Sequence, residues 1–446
     1  MSVSADSVII LAAGDGSRLK SSTPKVFHKV GGLSLLDHVI QTAKSINPCE
    51  IIAVLKPQYR DIELKFNANV KKAHQEIPKG TGDAVKCGLK SLSNNNHGWV
   101  YILYADIPLI SATTLKILAE TARKCEKTAV VVLAMNDEGT NNLGKLEPAD
   151  EIGTIKGIIE AKNTLSADST LPLCNAGLLI KKSVLRELID KIKPNPVTGE
   201  FYITDIVKIA HNAGYVCRYH EACAKELFGA NTRFELSILE ESFQEKMRNR
   251  HMNNGVTLIA PNTVFFSYDT EIENDVVIYP YVVFLEHVFI KSGSHIGPFC
   301  LVEGSKIYNA QIGPFARLRP GSIIQDGAKI GNFVEIKNSI VNEKSKINHL
   351  SYVGDSTVGK NTNIGAGTIT CNYDGFNKYE TFIGENVFIG SNSALVAPLK
   401  ICDNAMVGAG SVITKDVEDG ALAIARGTQK NIKGWSKNFR KSRVCK

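Results

Sequence analysis

Ile383-Gly-Glu-Asn-Val-Phe-Ile389-Gly-Ser-Asn-Ser-Ala-Leu395-Val-Ala-Pro-Leu-Lys-Ile401 carries an aliphatic residue at every sixth position, and the count runs on to Val407 and Ile413. Upstream the same step joins Ile272, Ile278, Phe284, Ile290, Ile296 and Val302, then Ile312, Leu318, Ile324, Ile330 and Ile336, then the pairs Ile347 with Val353 and Val358 with Ile364. Glycine follows the apolar position at Gly297, Gly313, Gly331, Gly354, Gly359, Gly365, Gly384, Gly390 and Gly408. A six-residue period gives each short strand one inward aliphatic, with glycine or a small polar residue turning the chain at each corner. Three such strands close a triangular coil. A β-sandwich would instead space its strands by about 8–12 residues with irregular loops. Between Ile364 and Ile383 the gap is one residue more than three hexads, and it holds Thr368-Ile-Thr-Cys-Asn372-Tyr373-Asp-Gly375. That stretch is expected to leave the plain coil, and interruptions of this kind tend to lie on a binding face.

Before the hexads the chain has another grammar. Short β-rich runs at 8–11, 51–55, 100–103 and 130–133 alternate with helical patterns such as 34–46 and 112–124, which predicts an α/β domain with a mostly parallel sheet. From Glu235 to Arg250 the apolar positions Leu236, Leu239, Phe243 and Met247 predict one amphipathic connecting helix. The division expected is 1–230, a linker at 231–252, and 253–446 with a basic tail. With 446 residues, 43% apolar and 22% charged, the composition is globular and two to three domains are expected. No run of about 18 uncharged apolar residues occurs, and 8–13 is too short for a secretory leader, so a cytosolic protein without membrane spans is expected. The ten cysteines form no C-x-x-C pair and read as reduced, packed thiols rather than a zinc site or disulfide framework. A good part of the net charge of +7 sits between Lys430 and Lys446. Without a recognition motif beside it, this suits polyanionic small substrates rather than nucleic acid.

Leu11-Ala12-Ala-Gly14-Asp-Gly16-Ser-Arg18 follows the first expected strand, which puts exposed amides at the carboxyl end of a parallel sheet. It is neither a Walker loop nor a dinucleotide fingerprint, since Leu19 stands where the third glycine belongs. Arg18 and Lys25 add cations close by, a combination suited to a triphosphate. Gln75 and Gly80-Thr81-Gly82 supply a second glycine turn. Asp106 follows the strand ending at Leu103, well placed to hold Mg²⁺ against phosphates, although Asp106 before Pro108 also suits a plain turn.

Among the hexads, Arg317-Leu-Arg319, Gly331-Asn-Phe-Val-Glu335-Ile-Lys337, Asn348-His349-Leu-Ser-Tyr352-Val-Gly-Asp355 and Asn363-Ile-Gly-Ala366 are more polar than a solenoid wall requires. His287 and His295 read as structural. His349 differs, because Lys337, Tyr352, Asn363, Asn372 and Tyr373 fall about one coil apart and are expected to converge on one face.

Together, Leu-Ala-Ala-Gly-x-Gly-Ser-Arg, Pro24-Lys-Val-x-His28, Gly80-Thr-Gly, Asp106-Ile-Pro-Leu, Glu160, Asn175 and Tyr202-Ile-Thr-Asp205 resemble the sugar-nucleotide pyrophosphorylases. With the hexads, residues 7 to 435 resemble the bacterial bifunctional N-acetylglucosamine-1-phosphate uridylyltransferases and glucosamine-1-phosphate acetyltransferases. The resemblance implies a Rossmann-like nucleotidyltransferase domain followed by a left-handed parallel β-helix of hexapeptide repeats, assembled as a homotrimer with acetyl-transfer sites between subunits. It implies that Leu11, Ala12, Gly14, Gln75, Gly80 and Thr81 bind the uridine nucleotide, that Arg18 and Lys25 bind its phosphates, and that Tyr104, Gly144, Glu160, Asn175 and Asn231 hold the sugar phosphate. Asp106 and Asn231 would coordinate Mg²⁺. In-line attack by a sugar 1-phosphate on UTP needs no protein nucleophile, so positioning and charge neutralisation carry that step. In the second half, His349 is implied as general base; an imidazole suits the proton of a sugar amine attacking a thioester. Arg319, Lys337, Tyr352, Asn363 and Lys378 would bind glucosamine 1-phosphate, and Ala366, Asn372, Tyr373, Ser391, Ala409 and Arg426 acetyl-CoA. Ala105 and Lys145 depart from the family, and the Ala105 methyl is expected to press on the sugar or ribose if the substrate comes close.

The leading reading is an enzyme that acetylates glucosamine 1-phosphate and then uridylylates the product to UDP-N-acetylglucosamine for cell-wall precursors. Its competitors are a single nucleotidylyltransferase with a regulatory or oligomerising β-helix, and a nucleotide-sensing scaffold. His349 with its polar companions argues against the first, Lys25 and Asp106 against the second.

Overall fold

The computed structural model describes residues 6–14, 16–66, 69–136, 144–160 and 172–444; Asp15 of the first glycine turn lies outside them. The chain forms two compact units, Met1–Gln244 and Glu245–Lys446.

In the first unit seven strands lie side by side in the order Val216–Glu221, Thr128–Asn136, Leu173–Lys181, Trp99–Tyr104, Ser7–Leu11, Glu50–Leu55 and Val70–His74. Pairing is parallel except around Leu173–Lys181, which runs against both neighbours. Successive side chains alternate between two cores. Ile9, Ile52, Val54 and Ile102 enter one, while Val8, Ile10, Ile51, Leu55 and Leu103 enter the other; a sheet covered on both faces reads as a continuous apolar run for this reason. The helix Leu35–Ser45 begins where the Ser34 hydroxyl accepts the Asp37 N–H at 3.0 Å. Ser111 caps Ala112–Arg123 in the same way through Thr114. Each satisfies an otherwise orphaned donor of a first turn. The loops after Ser7–Leu11 and Trp99–Tyr104 leave the carboxyl ends of adjacent parallel strands, where open α/β sheets bind ligands.

The hexads build the left-handed parallel β-helix, with three sheets of short parallel strands forming its faces. The chain visits them in turn, for example Lys346–His349 on the first face, Tyr352–Gly354 on the second and Ser356–Val358 on the third. The inward aliphatics from Ile278 to Ile413 are buried. A second buried register lies two residues before each of them and is mostly small. It is a buried hydroxyl at Ser294, Ser305, Ser322, Ser339, Ser345, Ser351, Ser356, Thr362, Thr368, Thr381, Ser393 and Ser411, and alanine, valine, Cys300 or Leu399 elsewhere. Several of these hydroxyls donate to main-chain carbonyls, as Ser322 does to Arg319 at 2.6 Å and Ser339 to Lys337 at 2.7 Å, which meets the polar need of those tight corners.

Three expectations need correction. Ile307 and Val341 are further inward positions; the step shrinks to five residues beside them, which hides both from a strict count of six. Thr370 is also inward and buried, with its hydroxyl accepting the Gly354 N–H at 2.8 Å. Ile364 to Ile383 is therefore two steps with a protruding loop of extra residues, not three hexads and one, and Thr368 to Thr370 remain in the coil. The glycines that follow the aliphatics mostly do not make the turn. Of the nine only Gly313 has positive φ, whereas the residue two places on, such as Phe333 (φ 56°) or Asn392 (φ 56°), is left-handed. What Gly331 supplies is room: a Cβ there would stand 2.0 Å from the carbonyl oxygen of Asn348 in the next coil.

The helix Arg233–Asn253 outruns the expected 235–250 at both ends. At its last turn His251 is 2% exposed with neither ring nitrogen hydrogen-bonded, and its ring lies 4.7 Å from that of Phe266. Burial, helped by Arg250, pushes its pKa down to about 4. Below pH 6.5 the unfolded chain binds a proton that the folded one refuses, so stability is lost as pH falls from about 6.5 to 4, by up to about 3 kcal/mol. Thermal unfolding of His251→Phe should lose much of the wild-type drop in Tm over that window; equal slopes in both proteins would refute this.

Candidate active sites

A cleft of about 310 Å³ opens in the first unit, lined by Arg18, Thr81, Tyr104, Asp106, Gly144, Glu160, Asn175 and Asn231, with Tyr202, Thr204, Gly229 and Glu235. Lys25 stands beside it, nine-tenths buried. Its ammonium donates to Asp106 Oδ2 at 2.5 Å and to Asn231 Oδ1 at 2.7 Å. Arg18 donates to the same Asn231 oxygen at 2.9 Å. Two side chains from near the amino terminus, one from a central strand end and one from the start of the long helix thus meet at a single point.

Asn231 is placed by Glu235, which was not anticipated. The Glu235 carboxylate accepts the N–H groups of Asn231 at 2.5 Å and Thr232 at 2.9 Å. Across the cleft Asn175 donates to the Tyr104 hydroxyl at 3.2 Å, and Thr204 donates to Glu160 at 2.5 Å. Burial and the nearby Glu160 and Asp106 carboxylates keep the Tyr104 phenol protonated well above its ordinary range, although the Asn175 contact opposes them. The nucleotide-assigned residues fall into two kinds. Leu11 ends its strand half-buried and Gly14 is exposed, with nothing within 4 Å of where its Cβ would be. Ala12 and Gln75 are buried; Gln75 donates to Gly80 O at 3.1 Å and Asp83 at 2.7 Å and so holds the second glycine turn in shape. Gly80 (φ 99°) opens the helix Thr81–Ser91, and a Cβ there would meet Phe201 O at 2.5 Å. Ala105 has no exposed surface and belongs to the apolar core, so its methyl does not reach the cleft and the expected pressure on the substrate is absent. Lys145 is half-buried on the strand Lys145–Pro148.

In the second unit the polar residues stack in columns along the prism. At the corner between the first and second faces, the His349 carbonyl accepts from Gly367 at 3.4 Å, Ala366 from Asn392 at 2.7 Å, Ser391 from Gly410 at 2.8 Å, and Ala409 from the Arg426 side chain at 2.7 Å. This places His349 and four of the thioester-assigned residues, Ala366, Ser391, Ala409 and Arg426, on one edge. The same edge carries Tyr281, Phe299, Phe315 and Phe333, about half exposed, all with positive φ. Their rings stack with centroids 5.0, 4.9 and 5.1 Å apart.

A second column lies at the corner between the second and third faces. Asp355, which the sequence did not single out, is its hub. It accepts from Lys337 at 3.3 Å, from Asn338 at 2.8 Å and from Asn372, and its carbonyl accepts the Thr381 N–H at 3.1 Å where the protruding loop rejoins the coil. Burial opposes its charge, but the two amides and Lys337 outweigh that and hold the carboxyl below its usual range. Lys337 is the reciprocal case: burial works against its charge, and the hydrogen bond and opposite charge of Asp355 overcome it and raise the ammonium pKa. Lys378 lines the adjacent groove with Asp355. Arg319, one coil above Lys337, donates to Glu335 at 2.9 Å. Tyr373 is exposed on the loop, its hydroxyl donating to Gly375 O at 2.6 Å.

The expectation that these groups converge on one face is therefore corrected. Residues share a column when they are a whole coil apart, as Lys337 with Asp355 and Asn332 with His349 are, and the protruding loop lengthens that distance between Ala366 and Asn392. Tyr352 shares the second face with Lys337, its hydroxyl lying against Gly354, the strand partner of Lys337, whereas Asn363 belongs to the first face. The imidazole and the lysine–asparagine column occupy opposite edges of the second face. His287, by contrast, lies with Nδ1 2.9 Å from the Asp269 carboxylate at a corner, and His295 is exposed on a short first-face strand.

Residues 8–228 match the family of MobA-like NTP transferase domains, and residues 308–417 the GMPPB C-terminal domain. The chain is 44% identical to the bifunctional protein GlmU of Paramagnetospirillum magneticum over 98% of its own length and 97% of the relative's. It is 45% identical to that of Wolbachia pipientis wMel over 94% and 97%, and 42% identical to that of Zymomonas mobilis over 99% and 98%.

Proposed function

Because the chain belongs to the bifunctional GlmU family, we infer that it is a two-reaction enzyme making UDP-N-acetylglucosamine. It transfers acetyl from acetyl-CoA to glucosamine 1-phosphate, then uridylyl from UTP to the acetylated sugar phosphate with release of pyrophosphate. The first reaction is assigned to 253–446 and the second to 1–230, with the helix between them as connector. Family membership supports small-molecule substrates, and the nine free thiols among the described residues support work in a reducing compartment such as the cytosol; no helix among those residues is long and apolar enough to cross a membrane.

The observation that carries the uridylyl reading is the meeting of Lys25, Arg18, Asp106 and Asn231. The Asp106 carboxylate and Asn231 amide are hard oxygen donors already shared by one cation, Lys25, and they fit Mg²⁺, which when bound would neutralise phosphate charge. Arg18 and Lys25 hold the triphosphate against the attacking sugar phosphate, and Tyr104, Glu160, Asn175 and the space at Gly144 orient the sugar. The exposed backbone at Gly14 and the turn at Gly80 and Thr81 cradle the nucleotide.

For acetyl transfer, His349 takes the proton of the sugar amine. Arg319, Lys337, Tyr352, Asn363 and Lys378 hold the sugar phosphate, while Asn372, Tyr373 and the Ala366, Ser391, Ala409 and Arg426 column border the thioester. Since the two polar columns sit on opposite edges of one face, a complete site takes them from neighbouring copies, and we propose a homotrimer. The exposed aromatic stack on the His349 edge supports this, because contiguous apolar surface of that kind marks contact sites.

Incubation with glucosamine 1-phosphate, acetyl-CoA, UTP and Mg²⁺, with every species followed by mass, should show N-acetylglucosamine 1-phosphate before UDP-N-acetylglucosamine, and sedimentation a trimer. Product only from pre-acetylated sugar phosphate would leave the single-activity reading, and an active monomer would remove the shared site.

A further inference from the structure

We propose that Asn332 is a positioning residue that keeps the His349 ring proton on Nδ1, leaving Nε2 with the lone pair a general base needs; this rests on the reading of His349 above. Lys329–Asn332 and Lys346–His349 are parallel neighbours on the first face, in register so that Asn332 stands directly opposite His349. Its amide oxygen lies 2.6 Å from His349 Nδ1. An amide oxygen accepts and cannot donate, so the ring nitrogen facing it carries the hydrogen, and the other nitrogen is the acceptor. The main chain fixes the same alignment: the Asn332 carbonyl accepts the Leu350 N–H at 3.0 Å, and Ser351 Oγ donates to the His349 carbonyl at 2.8 Å.

The ring is exposed on its edge of the prism, so burial does not hold it. The side chain opposite does, as carboxylates and carbonyls do for histidines that act through their second nitrogen. A merely structural Asn332 would serve the corner equally well with the ring in either tautomer. A tautomer-setting Asn332 makes the rate of proton removal depend on what stands at position 332.

Asn332→Ala should lower kcat for acetyl transfer on the order of tenfold or more, with KM for glucosamine 1-phosphate and the thermal unfolding midpoint little changed. In ¹⁵N spectra of the neutral ring, population should move from Nδ1–H toward Nε2–H. Asn332→Asp keeps an acceptor at the same place, so kcat should recover, and the acid limb of its pH profile should move to higher pH because a carboxylate favours the imidazolium. Uridylyl transfer by the same preparations controls for folding. Wild-type kcat and tautomer in Asn332→Ala, or failure of Asn332→Asp to restore kcat or move the acid limb, would overturn the proposal. If His349→Ala is inactive while the Asn332 variants behave as wild type, this proposal alone falls; an acetylating His349→Ala would remove the base assignment itself.

Discussion

His349→Ala should lower acetyl transfer by about 10²–10⁴-fold, the range general base catalysis commonly contributes, while pyrophosphate release from UTP should stay at the wild-type rate. The imidazole is exposed at a corner whose inward position, Ile347, is untouched, and the strand pairing around it is main-chain, so the coil loses only a side chain and the hydrogen bond to Asn332. The effect should fall on kcat rather than on binding of the sugar phosphate, because Lys337 and Lys378, the cations assigned to its phosphate, stand at the other edge. Paired assays on one preparation, thiol release for acetylation and pyrophosphate release for uridylylation, check it. Acetylation retained within a few-fold of wild type would remove His349 as the base.

The mirror experiment is Asp106→Ala, which should cost uridylylation on the order of 10³-fold, comparable with removing a charge aimed at the transition state, and leave acetylation intact. Asp106 also neutralises Lys25, nine-tenths buried, and stripping one partner from a buried ion pair destabilises by about 3 kcal/mol or more. Asp106→Asn separates the two effects. It keeps an acceptor for the Lys25 ammonium and retains the fold, yet loses the anionic oxygen, so its uridylylation should still be severely reduced and its response to added Mg²⁺ weakened. If Asp106→Asn turns over UTP normally, the carboxylate is a structural partner of Lys25 and nothing more.

How much was legible follows from what each residue type announces. Inward aliphatics have one reason to recur at six, and they revealed the prism. Thr370 broke the count because it fills an inward slot with a hydroxyl that bonds to Gly354, and composition reads such a residue as loop. Asp355 escaped notice because Asp and Asn are ordinary occupants of left-handed corners, and at φ 49° it resembles Asn361 or Asn386; only its three side-chain partners distinguish it. Asn332 was hidden for a related reason, since its partner is one coil away and sequence distance says nothing of which edge a side chain occupies. Glu235 looked like an acidic residue at a helix start and is one, but its carboxylate also seats Asn231. In the first unit, pattern and position agreed more often: the strands expected to end at Leu11 and Leu103 were evident from apolar runs, the second running one residue further to Tyr104, and what they aim at followed from the sheet being parallel.

Each rung of the prism pairs only with the rungs above and below it, so heat should unravel this half from its tips inward rather than all at once. Lys346–His349 is the sixth of ten rungs on its face, whereas Leu422–Ala423, beside Arg426, is the last. Warming should therefore loosen the grip on the acyl carrier first and silence the proton acceptor last.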